Sequence, residues 1–487
     1  MRPLKFTVDR PFDRLVAGVT AALLGVAVLA VLPAAMPAQA GQSTSSAGVL
    51  ALRNGDIAAS PELWASTADS VGYVVLNAWE HTRIAALKAA RPDLKVLVYK
   101  DVSATVAYAT TVDANGVRRD NALLPAGVGY EWARTNAPSW FLRDAAGKPL
   151  EWADYRGVWP MDVGDPGYQK VWLDNVVTEV RRNGWDGVML DDTLTYLSHP
   201  TVGGAKSTQI PDDAAMLRAT GSFLSTVGSG LKAAGYLAVP NVTLTWQNYR
   251  QVLTSWSPSV SGWLLEYFVK WGLTSSYPSM GGADWASRMD IVETAQSLGT
   301  FVLAVTYGGA GDSTLATYQR GSWLLAWDGR AGASMYVPSE GSASHLIPAA
   351  LTDVGAPVSA RRALGGGSVW RRDFTGGVVL VNTGNAPTTV ALGGSFTDMA
   401  GRSVSSVTLA PTSAAILRGT PGTTHDAQPA PLPLPLPLAP PATSVGSDAP
   451  VVGTTTSSRS AAKVRLGDPV KFRRSKKIGR VVWTKVA

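Results

Sequence analysis

From Tyr73 to Val337 the chain repeats one pattern, in which short apolar or β-branched runs are each followed by a polar amphipathic stretch. The runs are Tyr73–Trp79, Lys95–Asp101, Val158–Val163, Gly187–Asp192, Tyr236–Thr243, Trp263–Val269, Phe301–Gly308 and Ala333–Val337. Between them lie predicted helices such as His81–Ala90, Gly167–Asn183, Asp212–Ala234, Asp284–Leu298 and Leu315–Trp327. Near-continuous apolar strands separated by helices mark a parallel sheet covered on both faces. Eight strands in such a span predict an α/β protein with a (β/α)8 TIM barrel, usually about 250 residues long, here over 71–350. An open doubly wound sheet, the alternative, needs a glycine-rich phosphate turn after its first strand. Glu80-His81-Thr82 stands there instead.

The pattern then changes. Ser368–Phe374, Gly377–Asn382, Thr388–Leu392 and Ser413–Leu417 are short runs between Gly, Asn and Pro turns, which predicts a small antiparallel, sandwich-like β-domain over 356–420. Pro421–Ala442 carries a Pro-Leu repeat, a stiff spacer, and Thr443–Ser460 is rich in Ser and Thr, so 421–460 reads as a linker and the basic tail 461–487 as disordered. At the other end, residues 1–14 are basic, Leu15 to Leu32 are uncharged and apolar, and Ala38-Gln39-Ala40 supplies a small-residue cleavage site. That order predicts a secretory leader cleaved after Ala40, a lead-in over 41–70 and a secreted or envelope-associated product. An uncleaved membrane anchor is the alternative.

Composition narrows the chemistry. The 487 residues contain no cysteine, which excludes disulfides, thiol nucleophiles and thiolate-bound metals. The four histidines, His81, His199, His345 and His425, form no HxH or HExxH spacing. Carboxylates and aromatics are abundant: 36 Asp and Glu, and 17 Trp. The net charge of +7 is concentrated in 461–487, where nine Lys and Arg face Asp468 alone. Such a tail suits an anionic wall polymer or a membrane surface. Export, with only Phe472 and Trp483 among its charges, argues against nucleic acid.

Active sites of these barrels lie at the C-terminal ends of the strands. There the sequence places Asp101, Asp162, Asp191, Asp192 and Glu266, acidic groups that are costly to bury without a task or partner. Strand alternation predicts that Asp191 and Asp192 point to opposite sides. Asp165, before Pro166, reads as a helix cap, and Asp186 as a turn residue at the lower end of its strand. Two carboxylates flanking one site are what glycoside hydrolysis requires. The rival is a hard cation held by the aspartates of the second to fourth predicted strands. Aromatic residues at strand ends, among them Trp79, Trp159, Trp246, Tyr267 and Tyr307, fit stacking on sugar faces. The stretch 102–157 is too long for a plain connector and is expected to shape a groove.

The stretch Asn183-Gly184-Trp185-Asp186-Gly187-Val188-Met189-Leu190-Asp191-Asp192 resembles the fourth-strand signature of glycosyl-hydrolase-like family 15 and, more distantly, of glycoside hydrolase family 114, the endo-α-1,4-polygalactosaminidases. Val96–Asp101, Trp140–Asp144, Trp159–Gly164, Trp370–Phe374 and Gly377–Asn382 carry the rest, so the likeness covers about 70–420. It implies a barrel glycosidase with a β-rich appendage and Asp191 as the principal catalytic carboxylate. The expected roles are Asp191 as nucleophile or base and Glu266 as general acid. Asp192, Asp162, Asp101, Asn241 and Tyr307, with the aromatics, are expected to contact a polysaccharide. No cofactor and no metal are expected. A non-catalytic glycan-binding protein on the same scaffold is the other reading.

Overall fold

The computed structural model describes residues 47–52, 71–274, 276–309, 311–338 and 348–420, and the backbone of 472–477 and 480–485. The predicted leader, most of the lead-in and the linker 421–460 lie outside the described residues. Eight parallel strands close a barrel: β1 (Ala47–Ala51), β2 (Val71–Leu76), β3 (Lys95–Asp101), β4 (Gly187–Thr193), β5 (Leu237–Val242), β6 (Gly262–Leu265), β7 (Phe301–Gly308) and β8 (Ala333–Pro338). Each pairs with its sequence neighbours, and β1 closes on β8.

Two strand assignments from sequence need correction. Val158–Val163 is not a barrel strand: only Val158–Pro160 is extended, and it pairs antiparallel with Ala104–Val106 outside the barrel. Pro160 has no N–H to give, which suits a short edge pairing rather than a central strand. The missing strand is Ala47–Ala51, inside the predicted lead-in. Its Ala-Gly-Val-Leu-Ala sequence has little β-propensity and is held by complete burial between β2 and β8.

Alternation sorts the side chains. Val75, Leu97, Met189, Val239, Leu264, Leu303, Val305 and Met335 point inward and fill the barrel. Val74, Val96, Val98, Val188 and Leu190 point outward to the helices. Among those helices are α1 (Pro166–Asn183), α2 (Gly282–Ser297) and α3 (Ser313–Ala326). Asp165 caps α1 by accepting the N–H groups of Gly167 and Tyr168, and Gly184 ends it in the left-handed conformation at φ 78°. Asp186, at the foot of β4, accepts the Val96 N–H and the Lys88 ammonium.

The appended domain is one six-stranded antiparallel sheet rather than a sandwich. It comprises β9 (Arg362–Leu364), β10 (Val369–Phe374), β11 (Gly377–Asn382), β12 (Thr388–Thr397), β13 (Ser403–Leu409) and β14 (Ser413–Arg418), in the order β9-β10-β11-β14-β12-β13. Val379, Val381 and Ile416 join the core beneath the barrel helices, while Val378, Leu380 and Leu417 pack with Phe396 on the other face. Gly321 of α3 allows the close approach, since a Cβ there would lie 2.8 Å from that of Ala414. Within the basic tail, Phe472–Lys477 and Arg480–Lys485 pair as an antiparallel hairpin.

Arg372 on β10 fixes the sheet to the barrel. One of its terminal nitrogens, Nη1, donates to the carbonyls of Leu324, Leu325 and Trp327 at the C-terminal end of α3, where the helix leaves acceptors unsatisfied. Replacing Arg372 with Ala is expected to cost about 2–4 kcal/mol, because those carbonyls lose a charged donor in a part-buried place. Chemical denaturation measures this, and an unchanged midpoint would contradict it.

Candidate active site

The inward row of each strand is apolar until its C-terminal end and then turns polar. On β3 it runs Leu97, Tyr99, Asp101; on β4 Met189, Asp191; on β5 Val239, Asn241; and on β7 Val305, Tyr307. On β6 it runs from Leu264 to Glu266, the first residue beyond the strand. Asp101 and Asp191 are register partners across β3 and β4 and so lie side by side.

Asn241 joins the two predicted catalytic carboxylates. Its single Nδ2 donates to Asp191 Oδ1 at 2.8 Å and to Glu266 Oε2 at 2.9 Å. Tyr307 donates its hydroxyl to Glu266 Oε1 at 2.6 Å, and the Tyr99 hydroxyl bonds to Asp191. Asp101 Oδ1 accepts the N–H groups of Ser103 and Ala104, both at 2.9 Å. His199 Nε2 lies 3.1 Å from Asp192 Oδ1, and its ring lies against Trp152 with centroids 4.1 Å apart.

Backbone geometry at two points breaks simple alternation. Asp192 has φ 50° and Tyr267 φ 56°, left-handed values that non-glycine residues rarely adopt and that concentrate at functional sites. Between β4 and β5 the register shifts from Leu190 to Thr193, opposite Pro240, which cannot donate to a ladder. Asp191 bonds to Asn241 and Asp192 to His199, and the charge of Asp192 still acts on both Asp191 and Asp101. Tyr267 follows Glu266 just past β6, and its ring centroid is 5.7 Å from that of Tyr307.

Crowding of like charge sets the proton affinity. Burial, then Asp192 and Glu266, push Asp191 up to about 7, against the opposing pull of Asn241 and Tyr99. Burial and the charges of Asp192 and Asp191 hold Asp101 well above the usual carboxylate range, despite its two backbone donors. Burial and mutual repulsion thus favour proton uptake by this cluster.

Other predicted residues do not join it. Asp162 turns back to accept the Gly164 N–H, and its nearest like charge is Asp165. The three-strand aspartate set of a hard-cation site is therefore not assembled, and among the described residues no group of three acidic or histidine side chains has ligand geometry. Trp159 packs inside the insertion, 5.6 Å from Tyr130 and 6.5 Å from Phe141. Trp246, on the loop after β5, lies over the Arg288 guanidinium at 4.8 Å and beside Trp271. Trp79 is exposed just past β2. Conversely, the site includes Tyr99 and His199 outside the predicted set, and Tyr155, one of the aromatics expected from sequence to stack on sugar. The Tyr155 hydroxyl senses the charges of Asp192, Glu266 and Asp191. Tyr99 was legible as the inward residue two before Asp101; His199 had no periodic signal.

The raised Asp191 pKa carries a stability consequence with a definite sign. Folding favours its neutral form, so the wild type loses stability as pH rises from about 4 through about 7. Asp191→Asn cannot ionise and is expected to melt higher at pH 8, by about 2–4 °C per kcal/mol relieved, and equally at pH 4. Thermal melts at the two pH values check this, and parallel curves would refute it.

A model of the family described as hypothetical glycosyl hydrolase family 15 matches residues 88–378. No protein of curated function matches the sequence. Among solved structures, the chain is similar to the glycoside hydrolase domain of PelA from Pseudomonas aeruginosa, at 14% identity and TM-score 0.39, covering 60% of this chain and 94% of that one. It is also similar to an α-amylase from Lactobacillus plantarum, at 11% identity and TM-score 0.42, covering 78% and 100%. A cycloalternan-degrading enzyme from Trueperella pyogenes gives 11% and 0.42, covering 79% and 63%. With the family model matched from the helix after β2 to the second long strand of the appended sheet, this chain belongs to hypothetical glycosyl hydrolase family 15.

Proposed function

We propose that the protein is a retaining glycoside hydrolase acting on a polysaccharide, with Asp191 and Glu266 as its catalytic pair. The observation that carries this reading is the Asn241 bridge. Two bonds of 2.8 and 2.9 Å to one nitrogen keep the carboxylate oxygens within about 5.7 Å, and amide hydrogens about 120° apart set them about 5 Å apart. Retaining enzymes hold their carboxyl groups about 5–5.5 Å apart, and inverting enzymes about 6.5–9.5 Å.

The raised proton affinity of Asp191 supports roles opposite to those expected from sequence. Asp191, raised to about 7, is the proton carrier. Glu266, with both oxygens accepting neutral donors, is the nucleophile. In the first step a Glu266 oxygen attacks the anomeric carbon while Asp191 gives its proton to the departing glycosidic oxygen. The C–O bond breaks and a glycosyl ester forms on Glu266. In the second step water attacks the same carbon, its proton passes to Asp191, and Glu266 leaves as carboxylate. Burial and the charges of Asp192 and Glu266 hold the proton on Asp191, and Tyr307 orients Glu266.

Export by the leader, and retention of the product on an anionic wall polymer or membrane surface by the basic residues of 461–487, extend this reading. Release of the full chain from cell envelopes by high salt supports the tether, and retention in high salt opposes it.

Reducing-sugar release from a panel of bacterial exopolysaccharides and wall glycans tests the activity. Release should fall at least ~10³-fold in Glu266→Gln and Asp191→Asn. Binding without release would make the protein a glycan-binding member of its family. Proton NMR of the first product should show the substrate's anomeric configuration. Azide should rescue Asp191→Ala to a glycosyl azide of retained configuration and Glu266→Ala to one of inverted configuration; the opposite pairing would return the nucleophile to Asp191. The rate should decline as pH rises through about 7, where Asp191 loses its proton.

A further inference from the structure

Beside the carboxylates lies a cavity of about 260 Å³ between the insertion that joins β3 to β4 and the loop that follows β4. Its walls are mainly apolar: Leu142, Leu150, Trp152, Met161 and Leu194 contribute, each almost wholly buried. His199 belongs to both places. It lines the cavity and also bonds through Nε2 to Asp192.

The wall also carries polar side chains, among them Thr201, Lys206 and Ser207, and two of its hydroxyls are left unsatisfied. The hydroxyls of Ser103 and Ser198, both on the wall, are buried and have no hydrogen-bond partner. Ser103 is 4% exposed, and its backbone is already committed, the N–H to Asp101 and the carbonyl to Met161. An unpaired buried hydroxyl is costly unless a ligand completes it. A hydroxyl can donate to a carbonyl oxygen, and unpaired hydroxyls in a mainly apolar lining suit a group with one acceptor and an apolar remainder.

Size and lining limit the occupant. A cavity of about 150 Å³ takes a benzene-sized group, so this one exceeds the needs of a sugar hydroxymethyl. A bare sugar ring would leave its hydroxyls unpaired against leucine, methionine and indole. We infer that this cavity binds the acyl group of an N- or O-acylated sugar, its chain against the apolar wall and its carbonyl oxygen accepting from Ser103 and Ser198. The inference deepens the hydrolase reading and rests on it for placing that sugar next to the cleaved bond. With His199 as the shared wall, the acylated residue sits at the catalytic carboxylates, and the preferred substrate is an acylated glycan.

Saturation-transfer NMR and titration on the full-length Asp191→Asn protein test this with N-butyrylglucosamine and N-butyrylgalactosamine, the two parent amino sugars, and butyl glucoside, which keeps the chain but lacks the carbonyl. At least one butyrylated sugar should bind at least ~10-fold more tightly than its parent, with the strongest saturation on the butyryl protons. The double variant Ser103→Ala/Ser198→Ala should weaken that sugar by about 5- to 30-fold and leave butyl glucoside unchanged. Leu150→Trp, which fills the cavity, should abolish acyl binding, with a thermal melt reporting its fold. Equal binding of acylated and parent sugars, no binding of either acylated sugar, or indifference to both serines would overturn the inference. Because binding is read in a protein without its proton donor, loss of the hydrolase reading alone would leave these results standing, and failure here would leave hydrolysis of unacylated glycans intact.

Discussion

Four carboxylates, Asp101, Asp191, Asp192 and Glu266, meet at one mouth of a barrel whose interior is otherwise apolar. Like charges in so poor a solvent resist ionisation, and the arrangement persists because neutral donors are aimed at it and proton uptake is favoured within it. Asn241 is the centre of that compromise. One amide nitrogen serves both Asp191 and Glu266, which fixes their separation and couples their charges. Tyr99 and Tyr307 hold the outer sides of the pair, and His199 holds Asp192. The strained backbone of Asp192 and Tyr267 belongs to the same compromise, since each turns the chain directly after one of the bridged carboxylates, Asp191 or Glu266.

The remainder of the fold keeps this mouth in shape. Layers of Leu97, Met189, Val239 and Leu264 support the acids from below. The appended sheet braces α2 and α3, the helices on either side of β7, through the Gly321 contact, the Arg372 cap and the ion pair of Arg361 with Glu293 on α2. Tyr307 on β7, and through it Glu266, thus depend on a domain that contributes no group to the acidic cluster. On the opposite side, Trp152 of the insertion pairs with Thr201 in a β-bridge and backs the His199 ring, so the long loop and the loop after β4 form one wall.

Much of this was legible from residue order. The period-two rows of β3, β4, β5 and β7 end in Asp101, Asp191, Asn241 and Tyr307, and seven of the eight apolar runs are strands of the barrel. The failures have physical causes. Val158–Val163 has the composition of a barrel strand, but Pro160 and a three-residue antiparallel pairing place it outside. Ala47–Ala51 lacks the composition, yet complete burial makes it a strand. Asp162 and Trp159 stand near a run that resembles a strand end and is not one, so neither reaches the cluster.

The sequence by itself determined the fold class and the acids that crown the strands, because alternation, apolar runs and helix caps are local properties that act over a few residues. Tertiary structure alone decided which acids share a donor, which are pushed toward the neutral form, and that His199 with the insertion builds a pocket beside them. Those outcomes depend on distances of about 3 Å between residues 25 to 50 positions apart along the chain, such as Asn241 to Glu266 and to Asp191. Residue order carries no record of such distances, whereas a closed barrel sets them by strand register.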